Sequence, residues 1–239
     1  MTGASMRAIF LVLLLTLTGG CVAPPVIVAT PRAPAAAPQV TRDPSRAAQD
    51  FVRVVETVMP VARTACRERT RGVRCDYVVV VDDRPGLPPN AFQTLGPGGQ
   101  PVVGFTLPLI LLARNVDELA FILSHEAAHH IEGHIARGQA SARTGAFVAG
   151  ALVAAGGGSP VAVRQAQDAG AFYGARRYAQ GFELEADALG ALLALRAGYD
   201  PVRGVMFFQD APDPGNQFLG THPPNAQRIQ TVRQVVQGY

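Results

Sequence analysis

Residues His125, Glu126 and His129, in the stretch Ser124-His125-Glu126-Ala127-Ala128-His129-His130, have the types and spacing of a metal site. On a helix, side chains four residues apart stand one turn above each other on the same face. Both imidazoles can then reach one cation. Glu126 projects roughly 100° round the helix, beside that cation, where it can take a proton from a water. Zinc is the default metal for two neutral imidazole nitrogens in this HExxH arrangement, with one ion per chain. The chemistry this implies is metal-assisted hydrolysis, with Glu126 as the base.

A zinc site of this kind needs a third protein ligand. His134 follows His129 by five residues, not the six of the metzincin register, so a carboxylate from a second helix is the better candidate. Gly181-Phe182-Glu183-Leu184-Glu185-Ala186-Asp187 offers one. Glu183 and Asp187 share a helical face. Glu183 is positioned to bind the metal, and Asp187 to accept the N–H of a ligand histidine and fix its tautomer. Glu185 points elsewhere and reads as solvated or salt-bridged.

Two helices must carry these groups. Asn115 followed by Glu118 forms a capping box, so the first helix starts at Val116. Leu119, Leu123, Ala127, Ile131 and Ile135 make its apolar stripe, and Gly138 is its expected C-terminal cap. The second helix is expected from about Gly170 to Arg196, capped by Gly198.

HEAAH, then ELEAD at 183–187, AGYDP at Ala197–Pro201 and THPPNAQRI at Thr221–Ile229 together resemble peptidase family M48, the HtpX/BepA-like zinc metallopeptidases. The resemblance also takes in Asn90-Ala91-Phe92, Pro97-Gly98-Gly99 and Asp117-Glu118-Leu119-Ala120, and spans roughly residues 45 to 237. It implies an α+β fold: a mainly helical zincin-type (gluzincin) domain with a small β-sheet beside the HExxH helix. It implies His125, His129 and Glu183 as zinc ligands and Glu126 as catalytic base. Where the family often has a Ser-Arg pair before the ligand Glu, this chain has Gly181-Phe182. His222, in the Thr-His-Pro-Pro block, has three readings. It stabilises the oxyanion over the metal, it closes the resting site as a fourth ligand, or it is a structural histidine. His130 and His134 read as structural histidines bonding to neighbouring helices.

The remaining chain sets the context. Residues 1–20 have the form of a secretory leader: Arg7, an apolar run from Ala8 to Leu17, then small residues. Leu17-Thr18-Gly19-Gly20-Cys21 resembles a bacterial lipobox. Lipidation at Cys21 would hold the mature protein on a membrane, whereas ordinary signal cleavage would release it. Val22 after the Cys favours the outer membrane over the inner. The expected location is therefore the cell envelope, on the periplasmic face of the outer membrane. Residues 21–42 are Pro- and Ala-rich and read as an extended tether. The metallopeptidase domain is expected over 43–239, without helical repeats.

Within that domain, Asp43-Pro44 opens a helix that Pro60 should kink or break, ending near Cys66. Export makes a Cys66–Cys75 disulfide feasible, with two free thiols as the alternative. Tyr77–Val81 reads as a buried strand. Ala91–Thr94 and Pro101–Thr106 read as a hairpin, and the stretch 100–106 as a strand that could receive an extended polypeptide substrate on its edge. Gln139 to Ala175 reads as a helical pair with a mobile tip, a lid or a membrane-touching loop. The formal charge of +3 is modest and the Arg residues are scattered, which argues against a nucleic-acid site. The functional expectation is a zinc endopeptidase acting on misfolded or specific envelope proteins. Its rivals are a lipid-anchored assembly factor with a closed zinc site, and a metal-free structural lipoprotein.

Overall fold

Asp43 begins the first helix, α1 (Pro44–Arg69), by accepting a hydrogen bond from the Arg46 N–H at 2.9 Å. Pro44 falls in the first turn, where its missing N–H has no helical partner to lose. The structure is a computed structural model that describes residues 42–213 and 222–239. The leader, Cys21 and the tether up to residue 41 lie outside the described residues. α1 continues through Pro60, so of the expected kink or break the break does not occur, and it ends three residues beyond Cys66. Pro60 and Glu56 both face solvent. Water can therefore satisfy the Glu56 carbonyl that Pro60 cannot bond.

Cys66 and Cys75 are joined by a disulfide that closes the loop after α1. Three strands follow: β1 (Val78–Asp82), β2 (Ala91–Leu95) and β3 (Pro101–Thr106). Their order is β1-β3-β2, with β1 parallel and β2 antiparallel to β3. Two expectations fail here. The first strand is not buried, because it lies at the sheet edge with Val78, Val80 and Val81 exposed. The stretch 100–106 offers no free edge, because both sides of β3 are already paired. β3 instead serves the core, with Val103 and Phe105 fully buried and the Phe105 ring 5.0 Å from Phe51. The free edges belong to β1 and β2.

Short α2 (Leu107–Leu112) leads into α3 (Val116–Ile131), the HExxH helix. Asn115 caps it as the sequence predicts, accepting from the Glu118 N–H at 3.1 Å. α3 ends at Ile131, not at Gly138. Gly133 takes up a left-handed conformation (φ 66°) that turns the chain directly into α4 (His134–Ala155). α4 and α5 (Pro160–Arg177) form an antiparallel hairpin whose backbones meet at Gly145, Gly170 and Gly174. The second site helix is a separate element, α6 (Ala179–Arg196), divided from α5 at Tyr178. Short α7 (Pro201–Gly204) and α8 (Phe207–Asp210) precede α9 (Asn225–Gln237).

α3 is the axis of the molecule. Of its residues, all but Val116 and His129 are buried. Leu119, Leu123, Ala127 and Ile131 pack with Val54, Val58 and Ala62 of α1 in one continuous core. On the other side, α6 approaches so closely that a Cβ at Gly190 would lie 3.0 Å from the Cα and N of His125. A side chain there would be tighter than ordinary Cβ contacts and would make the two helices give by a few tenths of an ångström. Among the described residues, no helix is long and apolar enough to cross a membrane.

Candidate metal centre

Each site residue comes from an element whose local sequence fixes its direction. The i, i+4 spacing on α3 brings His125 Nε2 and His129 Nε2 to 3.0 Å. Gly190 lets α6 lie against that turn. Glu183, one turn into α6, then places its carboxylate 3.5 Å from His125 Nε2 and 3.4 Å from His129 Nε2. Among the described residues, His125, His129 and Glu183 are the group able to hold a metal, with ligand atoms all within 4.8 Å of one another.

Both imidazoles have their second nitrogen tied. His125 Nδ1 donates to Asp187 at 2.9 Å, and Asp187 is fully buried. Asp187 in turn receives two hydrogen bonds from Arg228 of α9, at 2.8 and 2.7 Å. Arg228 is itself buried and stacks over the Phe208 ring at 3.7 Å. His129 Nδ1 lies 2.8 Å from His134 Nδ1, and His134 Nε2 lies 3.1 Å from Glu185. With His129 donating, His134 accepts at Nδ1 and donates from Nε2 to the carboxylate. Each candidate ligand imidazole is thus oriented through a chain ending in a carboxylate, with both Nε2 atoms aimed at the same point.

His134 therefore does more than bond to a neighbouring helix. His130 does behave as a structural histidine: its Nε2 bonds to the Arg74 carbonyl at 2.6 Å, beside the disulfide loop. Glu185 is salt-bridged to Arg137, as expected. Phe182, where the family pattern has a charged residue, stacks flat on His134 with ring centroids 4.6 Å apart. What sequence reasoning missed is the role of His134. The signal for Arg228 was faint, a single basic residue one turn into the last helix that could pair with an acidic residue near the site, and Asp187 is that residue. For His134 it was obscured by the Gly133 turn.

The electrostatics of the pocket suit a cation. Burial alone would lower the His125 pKa, but the Asp187 and Glu183 carboxylates outweigh it and hold the imidazole at about 9. A positive charge at this position is therefore stabilised. Burial, followed by the nearby His125, lowers His129 to about 3, which keeps its imidazole neutral, the form that coordinates a metal. Glu183 is pushed well below the usual carboxylate range: its neighbours, chiefly His125, outweigh burial. Two imidazole nitrogens and an ionised carboxylate converging in a buried pocket are the donor set of a zinc site.

Glu126 lies beside this cluster without joining it, and burial raises its pKa to about 7. The cluster opens into a cleft of about 480 Å³. Pro89, Asn90, Ala91 and Gln93, at and around β2, form one wall, and Phe207, Phe208 and His222 line it as well. His222 is 55% exposed, with Nε2 3.9 Å from Glu183. It lies at the mouth of the cleft, outside the three-residue cluster.

Two comparisons with known proteins bear on this arrangement. The sequence profile described as Peptidase family M48 matches residues 48–236. The chain is also 31% identical over 144 residues to the "Putative beta-barrel assembly-enhancing protease" of Vibrio cholerae. That match takes in 55% of this chain and 30% of the relative, so the chain spans under a third of the relative's length.

Proposed function

The chain belongs to peptidase family M48, and from that premise we propose that it is a zinc-dependent endopeptidase of the bacterial cell envelope, acting on misfolded or specific envelope proteins. One observation carries the reading. The two α3 imidazoles and Glu183 converge with Glu126 at their side in an open cleft. The name of the Vibrio cholerae relative, which joins proteolysis to β-barrel assembly, supports the envelope setting. So does the lipobox-like Leu17-Thr18-Gly19-Gly20-Cys21.

In this reading His125, His129 and Glu183 hold the zinc. When bound, zinc supplies the positive charge that acidifies a water and polarises the scissile carbonyl. Glu126 removes the proton from the attacking water and later delivers it to the leaving amine. A base poised near the working pH suits both transfers. Asp187 and His134 keep the two imidazoles in the tautomer that presents Nε2. The free edge of β2 borders the cleft, so an extended polypeptide can add to the sheet there and lay its carbonyl beside Glu126. His222, at the cleft mouth, is placed to hydrogen-bond the developing oxyanion.

The alternative, an assembly factor with a closed site, needs His222 as a fourth ligand. Its exposure and its place outside the cluster favour the catalytic reading. Replacing Glu126 by Gln tests the mechanism. Zinc should remain equimolar, while cleavage of casein or of captured envelope proteins should fall by about 10²–10⁴. Wild-type cleavage by Glu126→Gln would refute the role of the carboxylate.

A further inference from the structure

The α4–α5 hairpin holds itself together through its backbone. A Cβ at Gly145 would lie 2.1 Å from the Gly170 carbonyl oxygen, and one at Gly174 2.2 Å from that of Ser141. α5 buries none of its residues. Large apolar side chains on the tip-side half of the hairpin are left in solvent. Phe147 is 74% exposed, Leu152 70% and Val161 63%.

Their surroundings are unusual for a water-facing surface. From Thr144 to Val163 no residue carries a charge, and Arg143 and Arg164 close the stretch on either side, both exposed. Over residues 134–177 there are five Arg and one Asp. We propose that the end of this hairpin docks on an anionic lipid surface, with Phe147, Leu152 and Val161 entering the bilayer interface and Arg143 and Arg164 meeting the headgroups.

The charge pattern selects this occupant. Pairing with a second copy would bring Arg143 and Arg164 against their own counterparts, with Asp168 the one acidic residue of the hairpin to answer them. An anionic membrane answers every Arg at once. The length also fits. From Thr144 to Ala155 the uncharged part of α4 spans about 18 Å, too short to cross the roughly 30 Å hydrocarbon layer but sufficient to lie within its interface. The hairpin springs from the end of α3, so docking would hold the catalytic domain against the membrane independently of any acyl group at Cys21.

The chain contains no Trp, so Phe147→Trp gives the full-length protein a single indole at the hairpin end. Tyr239→Trp, at the exposed end of α9, is the control. Vesicles of phosphatidylethanolamine and phosphatidylglycerol should shift the Phe147→Trp emission to the blue, and acyl-chain-brominated lipids should quench it. The control should show neither effect, even if the chain is also held by an N-terminal anchor. Adding Leu152→Glu should weaken the response about tenfold or more, the loss of one large buried side chain. Arg143→Glu with Arg164→Glu should remove the preference for anionic over phosphatidylcholine vesicles. A water-like, unquenched indole in every vesicle would overturn the proposal. So would a blue shift without lipid that grows with protein concentration, which assigns the patch to a second copy. Photocrosslinking from position 147 to an envelope protein, with no lipid quenching, assigns it to a protein partner instead. None of these readouts depends on peptidase activity.

Discussion

His125 and His129 were legible because the helix repeat alone sets them side by side. The groups that hold them in place were legible only in part. Asp187 is one helical turn from Glu183, so the same rule finds it. His134 is five residues from His129 and reaches it across the turn that Gly133 makes between two helices. No periodicity encodes that contact. It nevertheless makes a definite prediction. His134→Ala should weaken zinc binding about 10–100-fold, as loss of an outer hydrogen-bond partner does. His134→Gln, whose amide oxygen can still accept from His129, should recover part of that loss. Competition with a chromophoric chelator measures both, and equal affinities for wild type and His134→Ala would remove the relay. The Asp187–Arg228 pair is a different case, because both groups are buried. Asp187→Asn strands the Arg228 guanidinium, and unfolding in urea should show a loss of about 3–5 kcal/mol even with zinc saturating.

At the scale of elements, existence was easier to read than boundaries. The N-terminus of α3 carries a chemical signal, the Asn115 side chain, whereas its C-terminus at Ile131 does not. Ile135 continues the apolar stripe across the Gly133 turn, so the seam between α3 and α4 resembles an unbroken helix. The α5–α6 seam at Tyr178 has neither Pro nor a left-handed Gly to mark it. Pro60 misled in the other direction, because the penalty for an internal Pro falls when the freed carbonyl faces water. The α3–α6 contact depends on Gly190, and the bare sequence gives no reason to single out that Gly from the rest. Gly190→Ala sets a methyl 3.0 Å from the His125 backbone and should force the helices apart. The expected cost is about 1–3 kcal/mol. Zinc affinity should fall with it, because Glu183 and Asp187 both ride on α6. A variant with native thermal stability but lost zinc would contradict a purely steric account.

Pairing between distant parts of the chain is what a sequence hides most completely. The hairpin of β2 and β3 is local and was visible. The parallel pairing of β1 with β3 crosses the whole hairpin, and it turned the expected substrate edge into an interior strand. The same distinction governs stability. The disulfide closes a local loop over a sequence separation of 9. The metal cluster joins α3 to α6, and Arg228 extends the connection to α9. Replacing both Cys66 and Cys75 by Ala should therefore lower stability by about 2–3 kcal/mol through the unfolded chain, with zinc present or absent. Stripping zinc should act on the native fold instead. The melting temperature should drop and recover with added zinc in proportion to ligand occupancy. Hydrogen exchange should quicken in α6 and α9 before α1, whose core contacts with α3 need no metal. If exchange in α1 rises in step with α6 when zinc is removed, the site is part of the folding core and not a clamp added to it.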